Sequence, residues 1–262
     1  MKQEPVSVGK SGRGYIEYSA RHGWLGVPSL LAAFIANCRL FKPPRPSTPL
    51  RLLSLIALDA ALRSRGSVLG TQSRRAIIEA MELGALLNDR FDGDDYDLEL
   101  LRKRVLWFAR SKHRDVAWCY AKRLRQLERS RPDPCESTII VRHYRENVNK
   151  VSLAFLWALA RAKTIAAAEL EIQQEPDLRM LFQIVMQSQL IDDVFDVLRD
   201  RRRSLPSLAT GPDASGASLR ESVAIYSAST PIRLDQNFCI GVGLKIMQSS
   251  ARLVIMIRAA FN

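Results

Sequence analysis

The 262-residue sequence reads as an all-α protein. From Leu50 onward, long stretches of helix-forming residues carry apolar side chains at three- and four-residue steps. No run alternates apolar and polar residues as a half-buried strand would. The punctuation agrees, because Gly66, Gly93, the RPDP run at 131–134, Pro176 and the stretch Leu205 to Gly216 cut these regions into separate segments. At about 150 residues per domain the length allows one or two domains. With 47% hydrophobic and 25% charged residues, the chain can bury a large core, which excludes disorder and collagen-like sequence.

In chain order, Trp24 to Ala36 is the first apolar run, with Pro28 and Ser29 suited to the first turn of a helix. It begins late and follows Glu4 and Glu17, so a first core helix describes it better than a signal peptide. Lys42 to Pro49 (KPPRPSTP) is a proline-rich linker or stiff loop. It separates an N-terminal segment, 1–49, from a helical domain, 50–262. Helices are expected over 50–64, 71–92, 97–111, 113–130, 137–168, 177–203, 217–228 and 237–260. The longest near-apolar stretches, such as Val151 to Ala160, fall short of the ~20 residues that span a bilayer, so no transmembrane helix is expected. Cys38, Cys119, Cys135 and Cys239 show no ligand spacing, which suits reduced thiols in a cytoplasmic protein.

Charge carries the functional signal. Lys and Arg total 39 against 27 Asp and Glu, a net charge of +12 that favours an anionic partner. Yet six of the 27 acids lie between Asp89 and Glu99, and four more between Asp192 and Asp200. In the run LIDDVFDVLRD, a continuous helix would place Asp193, Asp196 and Asp200 at about 100°, 40° and 80° from Asp192, on one face. Leu190, Ile191, Val194, Phe195, Val197 and Leu198 fill most of the remaining circle, so the acidic stripe is expected to face a polar cavity. Carboxylates at this spacing repel unless a cation neutralises them, and Mg²⁺, which takes hard oxygen ligands, is the natural candidate. A solvated acidic face paired with nearby arginines, Arg199 among them, is the other arrangement such a stripe allows. In ALLNDRFDGDDYD, Asp89 and Asp92 extend a stripe begun by Ile78, Met81 and Ala85, and Gly93 is expected to end the helix. The EF-hand pattern is not met.

These residues resemble the class I isoprenoid synthase superfamily, which includes terpene cyclases, trans-prenyl diphosphate synthases and the squalene and phytoene synthases. Asn88-Asp89-Arg90-Phe91-Asp92 is similar to the first DDxxD motif, with Asn88 at its first position. Asp192-Asp193-Val194-Phe195-Asp196 matches the second DDxxD of the prenyl synthases, while Asp192, Asp196 and Asp200 fall in the register of the NSE motif of terpene cyclases. The resemblance covers roughly residues 50–203. It implies a single antiparallel helical bundle around a central apolar pocket. It also implies Mg²⁺ held by Asp89, Asp92, Asp192 and Asp196 with Asp193 or Asp200, against an isoprenoid diphosphate substrate. The implied reaction is ionisation of an allylic prenyl diphosphate followed by cyclisation. Coupling to a second prenyl unit is the alternative, made second by the absence of the RRG that usually follows the first motif. A homodimer is compatible with the resemblance.

Cations must also converge on such a leaving group. Arg142, Arg145, Asn149 and Ser152 share one face that continues as Leu156 and Ala160. By resemblance, Arg145 stands where cyclases sense diphosphate, and Lys150 to Phe155 is similar to the KTxxLF segment of prenyl synthases. A solvated arginine face remains the alternative for this helix. Arg201, Arg202 and Arg203 suit a helix C-terminus. The basic run Arg102 to Arg131 suits a solvated face or peripheral contact with a membrane. Phe91, Phe155, Trp157 and Phe195 are candidates for stabilising a carbocation or for core packing. His22, His113 and His143 show no metal spacing, and no GxSxG is present. A competing class is a non-catalytic basic protein that binds nucleic acid or anionic membrane, but no recognised nucleic-acid motif occurs, and no nucleic acid is expected.

Overall fold

The computed structural model describes residues 48–63, 65–227 and 238–261. Among them are ten helices and no strand: α1 (Thr48–Arg63), α2 (Thr71–Asp92), α3 (Leu98–Ala109), α4 (Arg114–Arg129), α5 (Thr138–Arg161), α6 (Ile165–Gln174), α7 (Pro176–Phe195), α8 (Val197–Arg203), α9 (Gly216–Ile225) and α10 (Phe238–Phe261). The protein is all-α. The apolar run Trp24 to Ala36, His22, Cys38 and most of the proline-rich linker lie outside the described residues.

Local signals account for many helix ends. Gly93 takes the left-handed conformation (φ 71°) and closes α2, with the Asp94 N–H donating to the Asp89 carbonyl at 2.8 Å. The Asp97 side chain caps α3 by accepting from Leu100 N at 2.8 Å. Pro176 occupies the first turn of α7, where its missing N–H is not needed.

Two expected helices are broken instead. The segment 137–168 divides at Ala162, whose left-handed backbone (φ 53°) turns the chain so that α5 and α6 meet at 106°. An alanine in that conformation costs about 1–2 kcal/mol, and no local signal marks it. The corner is held from a distance: Glu171 of α6 accepts from Trp157 Nε1 at 2.7 Å and pairs with Lys163. Although burial works the other way, Lys163 and Trp157 hold the Glu171 carboxyl below its ordinary range. The segment 177–203 divides at Asp196 (φ −88°, ψ 6°), which ends α7 and begins α8.

α5 and α7 are central. α2, α4, α6 and α7 pack on α5, while α1, α6, α9 and α10 pack on α7. The segment from Val151 to Leu159 holds seven of the ten buried residues of α5, with Phe155 stacked on Tyr120 of α4 at 4.3 Å between ring centroids. A second apolar cluster joins Leu190 and Val194 of α7 to Val141, Leu208, Val223 and Ile255. It lies where α7 ends and supports the acidic residues beyond.

Against the sequence expectation, Ile240–Ala259 of α10 is long and apolar enough to cross a membrane by length and composition. Lys245 and Arg252 interrupt its apolar residues and hide this in a search for unbroken runs. Ile240, Leu244, Ala251 and Ile255 of that stretch are buried against the protein, while Val242, Ile246, Leu253, Met256 and Ile257 are exposed.

Phe155→Ala should cost about 3–5 kcal/mol in urea unfolding, because both the stacked ring and its packing are lost. His113 is buried at the start of α4, and desolvation together with Lys112 lowers its pKa from 6.5. The unfolded chain therefore binds a proton that the folded chain refuses, and stability should fall as pH drops below about 6.5. His113→Gln should lose less stability than the parent between about pH 7 and about pH 5.5 in the same measurement.

Candidate functional site

The two acidic runs occupy helix C-termini. Asp89 and Asp92 lie in the last turn of α2, and Asp192 and Asp193 in the last turn of α7. The negative end of a helix dipole disfavours carboxylates, so these positions require cations from elsewhere. Four arginines from three other segments supply them. Arg131, in the connection after α4, pairs with Asp92 at 2.8 Å, and Arg203, at the end of α8, pairs with Asp94. Arg199 of α8 pairs with Asp196 at 2.7 Å. Arg145 of α5 lies 3.5 Å from Asp193.

Arg145 links the two runs. It is largely buried, and burial opposes its charge, but Asp193, Tyr144, Asp92 and Asp200 together raise its pKa above the ordinary arginine value. One of its terminal nitrogens donates to the Pro206 carbonyl at 2.9 Å. Its Nε is buried with no hydrogen-bond partner. One turn along α5, Asn149 touches Met186 of α7 through its side-chain amide, so this polar face of α5 does lie against α7. Lys150 is half-buried on the same helix.

The four aspartates of the second run do not share one role. Asp193 is buried and fully engaged, its Oδ1 accepting from Gln189 at 2.6 Å and its Oδ2 from Leu208 N at 2.7 Å. Asp200 is also buried, hydrogen-bonded to Ser207, and burial with the charge of Asp193 pushes its pKa up to about 6. These two carboxylates anchor the 205–209 loop, which Arg258 of α10 also grips through the Ala209 carbonyl at 3.0 Å. Asp192 and Asp196 are left toward solvent, one exposed and the other half-buried. Partial desolvation and the charges of Asp196 and Asp193 raise the pKa of Asp192. The expectation that all four aspartates face a polar cavity is thus corrected: Asp193 and Asp200, at about 100° and about 80° on the wheel, share the buried face with Leu190 and Val194, while Asp192 and Asp196, at about 0° and about 40°, lie at its solvent edge. Phe195 and Leu198, expected on the apolar side, are 71% and 65% exposed.

In the first run, Asp92 accepts from Arg131 through one oxygen and from Asn88 at 2.9 Å through the other. Asp89 is half-buried beside it on the helix. Phe155 and Trp157 are core residues: one stacks on Tyr120, and the other holds Glu171 with the Arg65 guanidinium over its ring. Phe91 packs against the same core. Sequence reasoning passed over Arg131, which sits in the RPDP break, and its support by Glu128, a residue that also accepts from Tyr144 Oη at 2.9 Å. A lone arginine at a helix end among many gives no pattern by which to find it.

Among the described residues, no group of three or more His, Cys, Asp or Glu side chains is gathered as a metal site. No protein-family model, curated protein or solved structure matches the chain.

Arg145→Met should destabilise the protein by about 3–5 kcal/mol, because it leaves Asp193 charged and buried without its cation. Adding Asp193→Asn should recover a large part of that loss in denaturant unfolding. A double variant no more stable than the single one would show that the pair is not coupled.

Proposed function

We propose that this chain is a Mg²⁺-dependent class I isoprenoid diphosphate enzyme that ionises an allylic prenyl diphosphate and cyclises it. The observation that carries the reading is the meeting of two acidic runs, about a hundred residues apart in sequence, around the buried guanidinium of Arg145. Its unpartnered Nε is a donor suited to a diphosphate oxygen. In this reading the helices form an antiparallel bundle with the apolar pocket beside that end.

The carboxylates fit the metal in a specific way. Mg²⁺ is usually bound by one or two carboxylates together with substrate phosphate and water, not by a closed protein cage. Asp192 and Asp196 offer such a pair, and the pKa of Asp192 is raised by partial desolvation and then by the charges of Asp196 and Asp193, a repulsion that a dication would relieve. Asp89 and Asp92 would supply the facing pair, with Arg131 exchanging Asp92 for the substrate. Asp193 and Asp200 hold the 205–209 loop and Arg145 in place and would not be ligands. When bound, Mg²⁺ supplies Lewis-acid stabilisation of the departing diphosphate. Arg145 and Lys150 bind and orient that group, and the apolar pocket excludes water from the allylic cation.

Coupling of two prenyl diphosphates is the second reading, and one observation favours it. Burial of Asp200 removes the third member of the cyclase-like register, whereas Asp192 and Asp196 stay together as in a DDxxD motif.

Purified protein should release diphosphate from geranyl, farnesyl or geranylgeranyl diphosphate only with Mg²⁺. Asp192→Ala and Asp89→Ala should each lower the rate by at least about 100-fold, an effect of the size seen when transition-state charge stabilisation is removed, while remaining folded by circular dichroism. Asp200→Asn should retain Mg²⁺-dependent turnover. Product analysis with and without isopentenyl diphosphate separates cyclisation from coupling. No turnover of any of these substrates would end the proposal.

A further inference from the structure

The cations that the acidic site leaves unused are concentrated on α3 and α4. The two helices are joined by the turn 110–113 and pack on each other. On α4, Ala117, Tyr120 and Leu124 face the core, and Arg123 pairs with Glu169 at 2.6 Å. The opposite face carries Trp118, which is 73% exposed. Taking Trp118 as zero and about 100° per residue, Arg125 and Arg129 lie within about 20° of it, and Arg114 and Lys122 within about 40°. All four are exposed, and Asp115 is the single exposed acid on this helix. On α3, Val105 and Leu106 are about half exposed, beside exposed Arg102, while Lys103 pairs with the exposed Glu99 at 2.9 Å.

A large aromatic ring exposed at the centre of a cationic face is costly in water and has no intramolecular reason among the described residues, where the core needs only the other side of α4. Tryptophan is the residue that settles at the boundary of headgroups and acyl chains. Lysines and arginines around it are drawn to anionic headgroups. Nucleic acid would also attract the cations and could stack on the ring. It would give no use to the aliphatic Val105 and Leu106, which an acyl layer accommodates.

We propose that α3 and α4 form a docking surface for an anionic lipid bilayer, with Trp118 entering the interface and Arg114, Lys122, Arg125 and Arg129 meeting the headgroups. The surface is separate from the acidic site and stands whether or not the diphosphate chemistry holds.

The full chain should co-sediment with vesicles of phosphatidylcholine containing phosphatidylglycerol, bind pure phosphatidylcholine vesicles far less, and dissociate as salt is raised. Its tryptophan emission should shift to the blue on binding, and Trp118→Phe should abolish that shift. Reversing two charges with Lys122→Glu and Arg125→Glu should weaken vesicle binding by at least about tenfold. These side chains are exposed, so circular dichroism should show the parent fold in both variants. Three outcomes would overturn the proposal: no binding to the anionic vesicles, binding unaltered by the charge reversals, or an emission shift that persists in Trp118→Phe. Tighter binding to a single-stranded oligonucleotide than to the anionic vesicles at the same salt would assign the face to nucleic acid and overturn it as well.

Discussion

The negative ends of α2 and α7, loaded with aspartates, impose the constraint around which this protein is arranged. Helix C-termini disfavour anions, and Asp193 and Asp200 are carried out of water as well. Such groups persist only where cations and hydrogen bonds compensate them. Arg145 provides the central compensation, reaching Asp193 from α5 and the Pro206 carbonyl from the same guanidinium. Arg131, Arg199 and Arg203 complete it. The contacts tie together α2, α5, α7, α8 and the 205–209 loop, so the charge network is also what holds this end of the molecule in one arrangement.

That network divides the carboxylates by chemistry. Asp193 and Asp200 have most of their hydrogen-bonding capacity taken up within the protein. Asp192 and Asp196 retain access to solvent, and partial desolvation with the nearby charges of Asp196 and Asp193 raises the pKa of Asp192. The proposed chemistry uses this division, with buried residues positioning the arginine and solvent-facing ones meeting a cation, Asp196 by exchanging Arg199 for it. The outer surface follows a different rule. There the cations of α3 and α4 outnumber the acids, and on the exposed face of α4 they surround Trp118.

The helical class was legible because amphipathic periodicity and glycine and proline punctuation act locally. α2 runs over the expected 71–92, closed at Gly93. The breaks at Ala162 and Asp196 were not legible, since neither residue signals a turn. Ala162 turns because Glu171 gathers Trp157 and Lys163 across the corner. Asp196 takes a slightly non-helical backbone between α7 and α8, while the helical N–H to carbonyl bonds from Asp196 to Asp192 and from Asp200 to Asp196 continue through it. A helical wheel gives the angular order of side chains but not which sector is packed: the buried sector runs from Asp200 and Asp193 to Val194, which leaves Phe195 and Leu198 on the surface and Asp193 in the interior. The acidic clusters and Arg145 stood out as candidates, but the role of Arg131 depends on a contact between distant segments and had no local trace.

By itself, the sequence determined that the chain is helical, that its acids fall into two runs, and that Arg145 lies on a face running from polar to apolar. Those properties follow from side-chain type and spacing, which act over one or two helical turns. Only the tertiary structure decided which aspartates are buried and which are open, which arginine answers each one, and which face of α4 is left to water. Burial and ion pairing depend on how distant segments pack, because desolvation is set by every neighbour of a group and not by its own helix.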